Sequence, residues 1–516
     1  MGEFAKHGVY EKVPTEECWR KTGAAPIGTR WVDVNKGDDG KPEYRSRLVA
    51  KEIKTNKRED LFAATPPLEA QKTLLSLAVT EGIGYQTGCK TQGHKLDFID
   101  VRRAYFHAKA RREVYVELPQ EDHQPGMCGK LSKSMYGTRD AAQNWEHAYM
   151  EFLENAGFRS GTATPCVFHN RDRDIRAVVH GDDFTVLASE NQLDWFRREI
   201  VKRFEVKFRG RLGPEQKDDK SIRVLNRVVE WTVSGIMYEA DQRHAEIIVQ
   251  ELGLTSASKP VNTPSQKAAR QADAQLSQEE STMYRALVAR ANYLAQDRAD
   301  ICFAVKELCK TMSKPCRSDW DALKRLGRYL IGKTRLVVRY DYQSMPENID
   351  VIVDTDFAGC PTTRKSTSGG IVKLGEHCVK AWSSNQAVIA LSSGEAEFYG
   401  IVKGASNALG ITGVLNDLGV NLSVAVSTDS SAAKGIANRR GLGKVRHIEL
   451  SELWVQDQIA RGRITVYKID GSENSSDSLT KHSCGERIAQ TLRYCNQFIV
   501  SGRHEIMPEI AVGKHC

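Results

Sequence analysis

Two aspartates stand side by side in Val178-Val179-His180-Gly181-Asp182-Asp183-Phe184-Thr185-Val186-Leu187, between two short runs rich in β-branched residues. Such runs read as strands, and Gly-Asp-Asp between them reads as a tight hairpin turn. Adjacent carboxylates repel each other and gain nothing from burial unless divalent cations neutralise them. Mg²⁺ is the usual ion where oxygen ligands meet phosphates. The plain alternative is an ordinary Asp-rich turn. Upstream, Asp97 and Asp100 lie in Lys95-Leu96-Asp97-Phe98-Ile99-Asp100-Val101. Three residues apart, they point to opposite faces of a strand, so only one of them can join Asp182 and Asp183. A third carboxylate from a second element is what two-metal phosphoryl transfer requires. Farther along, Asp354, Glu395, Asp429 and Asp477 fall at strand ends or helix starts. Four converging carboxylates suggest a second two-metal site.

The elements that must position these acids can be read from hydrophobic period. Residues 29–34 and 44–51 read as two strands around a turn at 36–41. The returning strand puts Arg45, Arg47 and Lys51 on one face. That face is either a solvated, charge-guarded edge or a basic arm over a triphosphate or template strand. Residues 67–82 carry Leu74, Leu75, Leu77 and Ala78 at core-helix spacing. A helix is expected to open at Lys130 and run through Trp145 and Leu153, as an amphipathic core helix or one facing a nucleotide. Residues 192–204 predict a third helix, 223–238 a hairpin and 241–252 a fourth helix. Residues 1–25 show no strong period. Ser, Gln, Lys, Ala and Pro mark 255–280 as a linker, and 283–330 reads as helical. From residue 349 onward the order β-β-β-α-β-α-α-β-α indicates an α/β domain with a mixed sheet.

The bulk numbers bound the class. A chain of 516 residues, 40% hydrophobic and 27% charged, is globular rather than disordered and of multidomain length. The formal charge of +8 is compatible with a polyanionic partner. Twelve cysteines without a C-x-x-C pair suggest neither a zinc site nor a disulfide framework, and fit a reducing compartment. No apolar run is long enough for a membrane span, and the first residues lack a signal-peptide core.

Taken together, the chain from about Gly28 to Lys481 resembles the reverse transcriptase–ribonuclease H region of copia-type retrotransposon Pol polyproteins. The resemblance is carried by Tyr44-Arg45-Ser46-Arg47-Leu48-Val49-Ala50-Lys51, by Asp100-Val101-Arg102-Arg103-Ala104-Tyr105, and by Leu131-Ser132-Lys133-Ser134-Met135-Tyr136-Gly137 with Trp145 downstream. In the C-terminal half it is carried by Asp354-Thr355-Asp356-Phe357-Ala358-Gly359, Arg364-Lys365-Ser366-Thr367-Ser368-Gly369 and Leu391-Ser392-Ser393-Gly394-Glu395-Ala396-Glu397. Asp429, Arg446-His447-Ile448-Glu449 and Asp477-Ser478-Leu479-Thr480-Lys481 complete it.

The resemblance implies an α+β and α/β multidomain chain: a right-hand polymerase of fingers, palm and thumb, followed by a ribonuclease H-like mixed-sheet domain. The implied divisions are 1–254 for the reverse transcriptase, 255–345 for linker and helical connection, 346–485 for the ribonuclease H-like domain and 486–516 for a polar tail. It favours Asp100 over Asp97 and implies polymerase chemistry at Asp100, Asp182 and Asp183. Arg47, Lys51, Tyr105, Tyr136 and Gly137 would then bind the nucleotide, with Tyr105 excluding a 2′-hydroxyl. Hybrid cleavage is implied at Asp354, Glu395, Asp429 and Asp477, with Asp356 and Glu397 outside the site. His447 would serve product release or proton transfer, or be a plain surface histidine. Two Mg²⁺ per site are implied, with Mn²⁺ as a substitute. The implied partners are an RNA template, a DNA primer, an RNA–DNA hybrid and deoxynucleoside triphosphates, together with integrase and capsid regions of the same element. No membrane is involved. The expected setting is a cytoplasmic virus-like particle with a nuclear phase.

Two departures stand out. The family's Tyr-Val before Asp-Asp is His180-Gly181 here, which alters packing beside the primer end. Thr138-Arg139-Asp140 replaces Leu-Lys-Gln, and Asp140 is expected to repel substrate phosphates. They leave open a degenerate copy, either ribonuclease H only or a non-catalytic nucleic-acid-binding remnant.

Overall fold

The computed structural model describes residues 1–35, 44–53, 61–255, 257–267, 274–443 and 445–510. The turn expected at 36–41 lies outside the described residues, as do position 256 and 268–273 of the expected linker. The chain forms two units. One takes in Met1–Gln71 and Lys95–Arg211, the other Lys72–His94 and Leu212–Ile510.

The first unit is built on a six-stranded sheet in the order Val206–Leu212, Lys95–Val101, Asp183–Ala188, Ile175–His180, Val167–Asn170, Arg159–Ser160. Strand alternation turns Ile99, Val101, Phe184, Val186 and Ala188 to one face, where Trp145, Tyr149, Phe196 and Ile200 cover them. These come from helices Ala141–Asn155 and Glu190–Arg203. Asp100 and Asp183 therefore fall on the other face. The helix expected to open at Lys130 begins only at Ala141. Residues 127–131 are a strand instead, paired with Tyr10–Pro14. That partner lies in the stretch where the sequence showed no period. The structure has helix Gly2–His7, strand Tyr10–Pro14 and helix Thr15–Thr22 there. The basic hairpin forms as expected, Thr29–Asn35 pairing with Tyr44–Ala50.

In the second unit, helices Arg243–Glu251, Gln278–Ala295, Cys302–Cys309 and Arg317–Leu330 share a core that includes Leu287, Val288, Leu294, Ile301, Val305 and Leu326. A meander of Ser221–Val224, Arg227–Thr232 and Gly235–Glu239 continues through Arg335–Asp341 to Gln497–Val500. Residues 485–500, expected to begin a polar tail, are instead a helix and a strand. Helix Gly485–Tyr494 buries Ile488 and Leu492, four apart on one face, and the strand after it pairs with Arg335–Asp341. A second sheet has the order His377–Asn385, Thr367–Leu374, Asn348–Thr355, Ser423–Thr428, Ile464–Lys468. Its first three strands are antiparallel and the last two join in parallel. Helix Ser393–Asp417 lies on this sheet so closely that a Cβ at Gly404 would sit 2.5 Å from Val353 Cγ1. Among the described residues, no helix is long and apolar enough to cross a membrane.

Candidate active sites

In the first unit, antiparallel pairing sets Asp183 directly opposite Asp100 on one neighbouring strand and opposite His180 on the other. Gly181 and Asp182 are the two turn residues, and Gly181 takes the left-handed conformation at φ 65 that a two-residue hairpin asks of glycine. The indole Nε1–H of buried Trp145 donates to the Gly181 carbonyl at 2.7 Å, fixing the turn on the helical layer. Three carboxylates from two strands and a turn so meet on one face. Burial, with Asp182 and Asp100 adding repulsion, pushes the Asp183 carboxyl up to about 6 against the pull of Arg209. Loss of surrounding water and the nearby Asp100 raise Asp182 as well. Arg209 lies across the pair, Nη1 3.4 Å from Asp183 Oδ1 and Nη2 3.7 Å from Asp100 Oδ2. Its guanidinium stands where the donor set asks for positive charge. Asp97 is on the opposite face, fully buried, and accepts from Arg197 and Arg211.

Four of the five residues expected at the nucleotide pocket gather near Asp182. The Arg47 guanidinium lies 5.6 Å from the centroid of the Tyr136 ring, and Tyr105 packs on Tyr136 with centroids 4.7 Å apart. Burial foremost, then Asp182, raises the Tyr105 hydroxyl. Gly137 sits at φ 88, and a Cβ there would be 2.1 Å from the Ala50 carbonyl oxygen. Its role is a close backbone approach, which seats Tyr136 beside the basic hairpin. Lys51 is the exception. Its ammonium end lies over Gly28 and near Glu117. Asp140 also departs from expectation: it is buried, bonded to Arg112 at 2.8 Å and to Asn144 at 2.9 Å. Burial alone would raise its carboxyl, but Arg112 holds it below the usual range. A paired, buried acid of this kind does not repel a substrate.

In the second unit, carboxylate oxygens of Asp354, Glu397 and Asp429 all lie within 4.8 Å of one another. Asp354 is near the end of the central strand, Asp429 follows the parallel strand beside it, and Glu397 comes from the covering helix. Thr480 donates to Asp354. Burial first, then Asp477 and Asp429, lift the Asp354 carboxyl to about 6. Burial, then Asp354 and Asp429, lift Glu397 to about 9, and its Oε2 is buried without a hydrogen-bond partner. An orphaned carboxylate oxygen among two further acids fits a divalent cation. Asp477 stands beside the group, paired with Lys481.

Glu395, expected in this cluster, is not in it, and Glu397, expected outside, is. Glu395 is the third residue of helix Ser393–Asp417. It accepts from the Leu391 amide at 3.0 Å and the Tyr399 hydroxyl at 3.1 Å, and pairs with His447 Nε2 at 2.7 Å. The sequence held both glutamates, and the Ser392-x-x-Glu395 spacing of a helix cap was the available signal against Glu395. Asp356 accepts from the Thr367 amide and holds a turn.

Residues 19–266 match the family model described as reverse transcriptase (RNA-dependent DNA polymerase). The chain is 25% identical over 504 residues to the retrovirus-related Pol polyprotein from transposon TNT 1-94 of Nicotiana tabacum, covering 93% of this chain and 36% of that protein. It is 26% identical over 470 residues to that of transposon RE2 of Arabidopsis thaliana, covering 88% and 31%. Over most of its length the chain is similar to the Pol polyproteins of copia-type transposons. Residues 19–266 are its reverse transcriptase domain, and Asp100, Asp182 and Asp183 all lie within it. The chain spans about a third of the length of these curated relatives. The fold agrees: a foamy viral protease–reverse transcriptase in complex with double-stranded DNA superposes with a TM-score of 0.51 at 11% identity, over 90% of this chain and 68% of that one. The architecture is a multidomain mixed α/β one, a reverse transcriptase domain followed by a domain built on a mixed sheet.

Proposed function

We propose that the chain synthesises DNA on an RNA or DNA template at Asp100, Asp182 and Asp183, and cuts RNA in RNA–DNA hybrids at Asp354, Glu397 and Asp429 with Asp477 beside them. The observation that carries this reading is the antiparallel register that sets Asp183 against Asp100 with Asp182 in the adjoining turn. Acids from two elements on one open face are suited to hold divalent cations. A divalent ion held by these acids would supply the charge that favours ionisation of the attacking hydroxyl or water and neutralises the leaving oxygen. The chain's own groups do the positioning. Exposed Arg47 offers its guanidinium to triphosphate oxygens, and Tyr105 packed on Tyr136 forms a wall for the sugar. In the second site Lys481 offsets the charge of Asp477, and Glu395 orients the exposed His447.

The test is extension of a labelled DNA primer on an RNA template with Mg²⁺, beside an Asp182→Asn/Asp183→Asn control, with hybrid cleavage measured in both. Extension that disappears in the control supports the polymerase. Cleavage without extension would leave a nuclease attached to a decayed polymerase. Silence in both assays would reduce the chain to a nucleic-acid-binding remnant.

A further inference from the structure

We propose that Arg209 is a displaceable counter-ion of the polymerase acids: it holds Asp100 and Asp183 together before a divalent cation arrives, and competes with that cation for them. The inference rests on the reading of these acids as a cation site. Two arginines of strand Val206–Leu212 engage the aspartates of the neighbouring strand, in two different ways. Arg211 is locked. Its guanidinium donates to fully buried Asp97 at 2.8 and 3.2 Å and pairs with Asp194 at 2.8 Å. Arg209 is loosely held. Its side chain is 34% exposed, and it reaches Asp183 at 3.4 Å and Asp100 at 3.7 Å, ion-pair range rather than good hydrogen-bond range.

One guanidinium spanning acids on two strands offsets the repulsion that would spread them. Partly exposed pairs without short hydrogen bonds are weak, so a doubly charged ion can replace the singly charged side chain. Metal entry at this site is then an exchange, one cation for another. Removing Arg209 removes the competitor, so affinity for the ion rises. A purely structural arginine would give the opposite result, because its loss would loosen the site.

Mn²⁺ binding to the full chain, read from the electron paramagnetic resonance of the free ion, tests this. The chain would carry Asp354→Asn and Asp429→Asn to silence the second acid cluster. Arg209→Met is expected to lower the Mn²⁺ dissociation constant roughly three- to tenfold. Lys202→Ala, which removes an exposed charge paired only with Glu199 among the described residues, should leave it unchanged. Arg209→Gln serves if the methionine variant does not fold. An unchanged or weakened affinity in a folded Arg209 variant overturns the proposal, as does an equal gain in Lys202→Ala. Binding that survives Asp183→Asn would instead sink the cation-site reading itself, which primer extension by the native chain tests separately.

Discussion

Glu395 and Glu397 are two helical positions apart, about 200° of rotation, and that rotation separates their chemistry. Glu397 turns toward Asp354 and Asp429, while Glu395 turns back over the helix start to the Leu391 amide and to His447. Glu397→Gln should therefore lower hybrid cleavage by more than the roughly 10- to 100-fold of an outer-shell change. Glu395→Gln should keep cleavage within about that range and cost about 1–2 kcal/mol in urea unfolding, through the weakened cap and the altered hydrogen bond to His447. The raised Glu397 carboxyl also sets a pH dependence. Its folded value, about 9, lies above the ordinary 4.5, so between those values the folded chain holds a proton that the unfolded chain has lost. In the absence of metal, the contribution of Glu397 to stability is present at low pH and is lost as pH rises through that window. Thermal unfolding in a chelator should show this fall, and Glu397→Gln should flatten it. The acids themselves were legible from sequence: period two separates Asp97 from Asp100, and the hairpin places Asp182 and Asp183. Which of two glutamates faces inward was not, because a rotation between neighbours on one helix is decided by what covers that helix.

Elements position these residues through a few close contacts. The turn bearing Asp182 is fixed by a single indole, Trp145, donating to Gly181. Trp145→Phe keeps most of the packing and removes that bond, at a cost of about 1 kcal/mol. It should reduce primer extension several-fold while hybrid cleavage stays intact. Gly137 permits a backbone approach that no side chain allows. Gly137→Ala would press a Cβ onto the Ala50 carbonyl in a left-handed conformation, and should raise the KM for deoxynucleoside triphosphates in steady-state extension by displacing Tyr136. At this scale the sequence was clearest where partners are near in the chain, as in the hairpin around Gly181 and the pairing of Thr29–Asn35 with Tyr44–Ala50. It was silent where they are far. Tyr10–Pro14 finds its partner at Met127–Leu131, and Gln497–Val500 at Arg335–Asp341. An isolated strand of four or five residues shows little period until its partner is known.

At the scale of the whole molecule, the second unit borrows Lys72–His94 from deep within the N-terminal half of the chain. Lys72 pairs with buried Asp297 at 2.8 Å, Ser76 bonds His377 at 2.8 Å, and Gln343 donates to Thr80 at 3.1 Å. Asp297 also pairs with Arg227. Lys72→Met leaves that buried carboxylate with half its compensation and should cost about 3–5 kcal/mol in chemical denaturation. A fragment starting at Leu212 lacks all three contacts. It should be less soluble than the same fragment co-expressed with residues 61–94. The same loan has a cost in time. Leu74, Leu75 and Leu77 of helix Leu68–Ala78 are almost fully buried, yet the partners of Lys72, Ser76 and Thr80 in the same stretch lie about 200 to 300 residues later. At a synthesis rate of about 5–20 residues per second, that apolar helix waits on the order of 10 to 60 seconds for its pocket. The nascent chain should therefore need a holding chaperone over one short segment, for an interval that slower translation would lengthen.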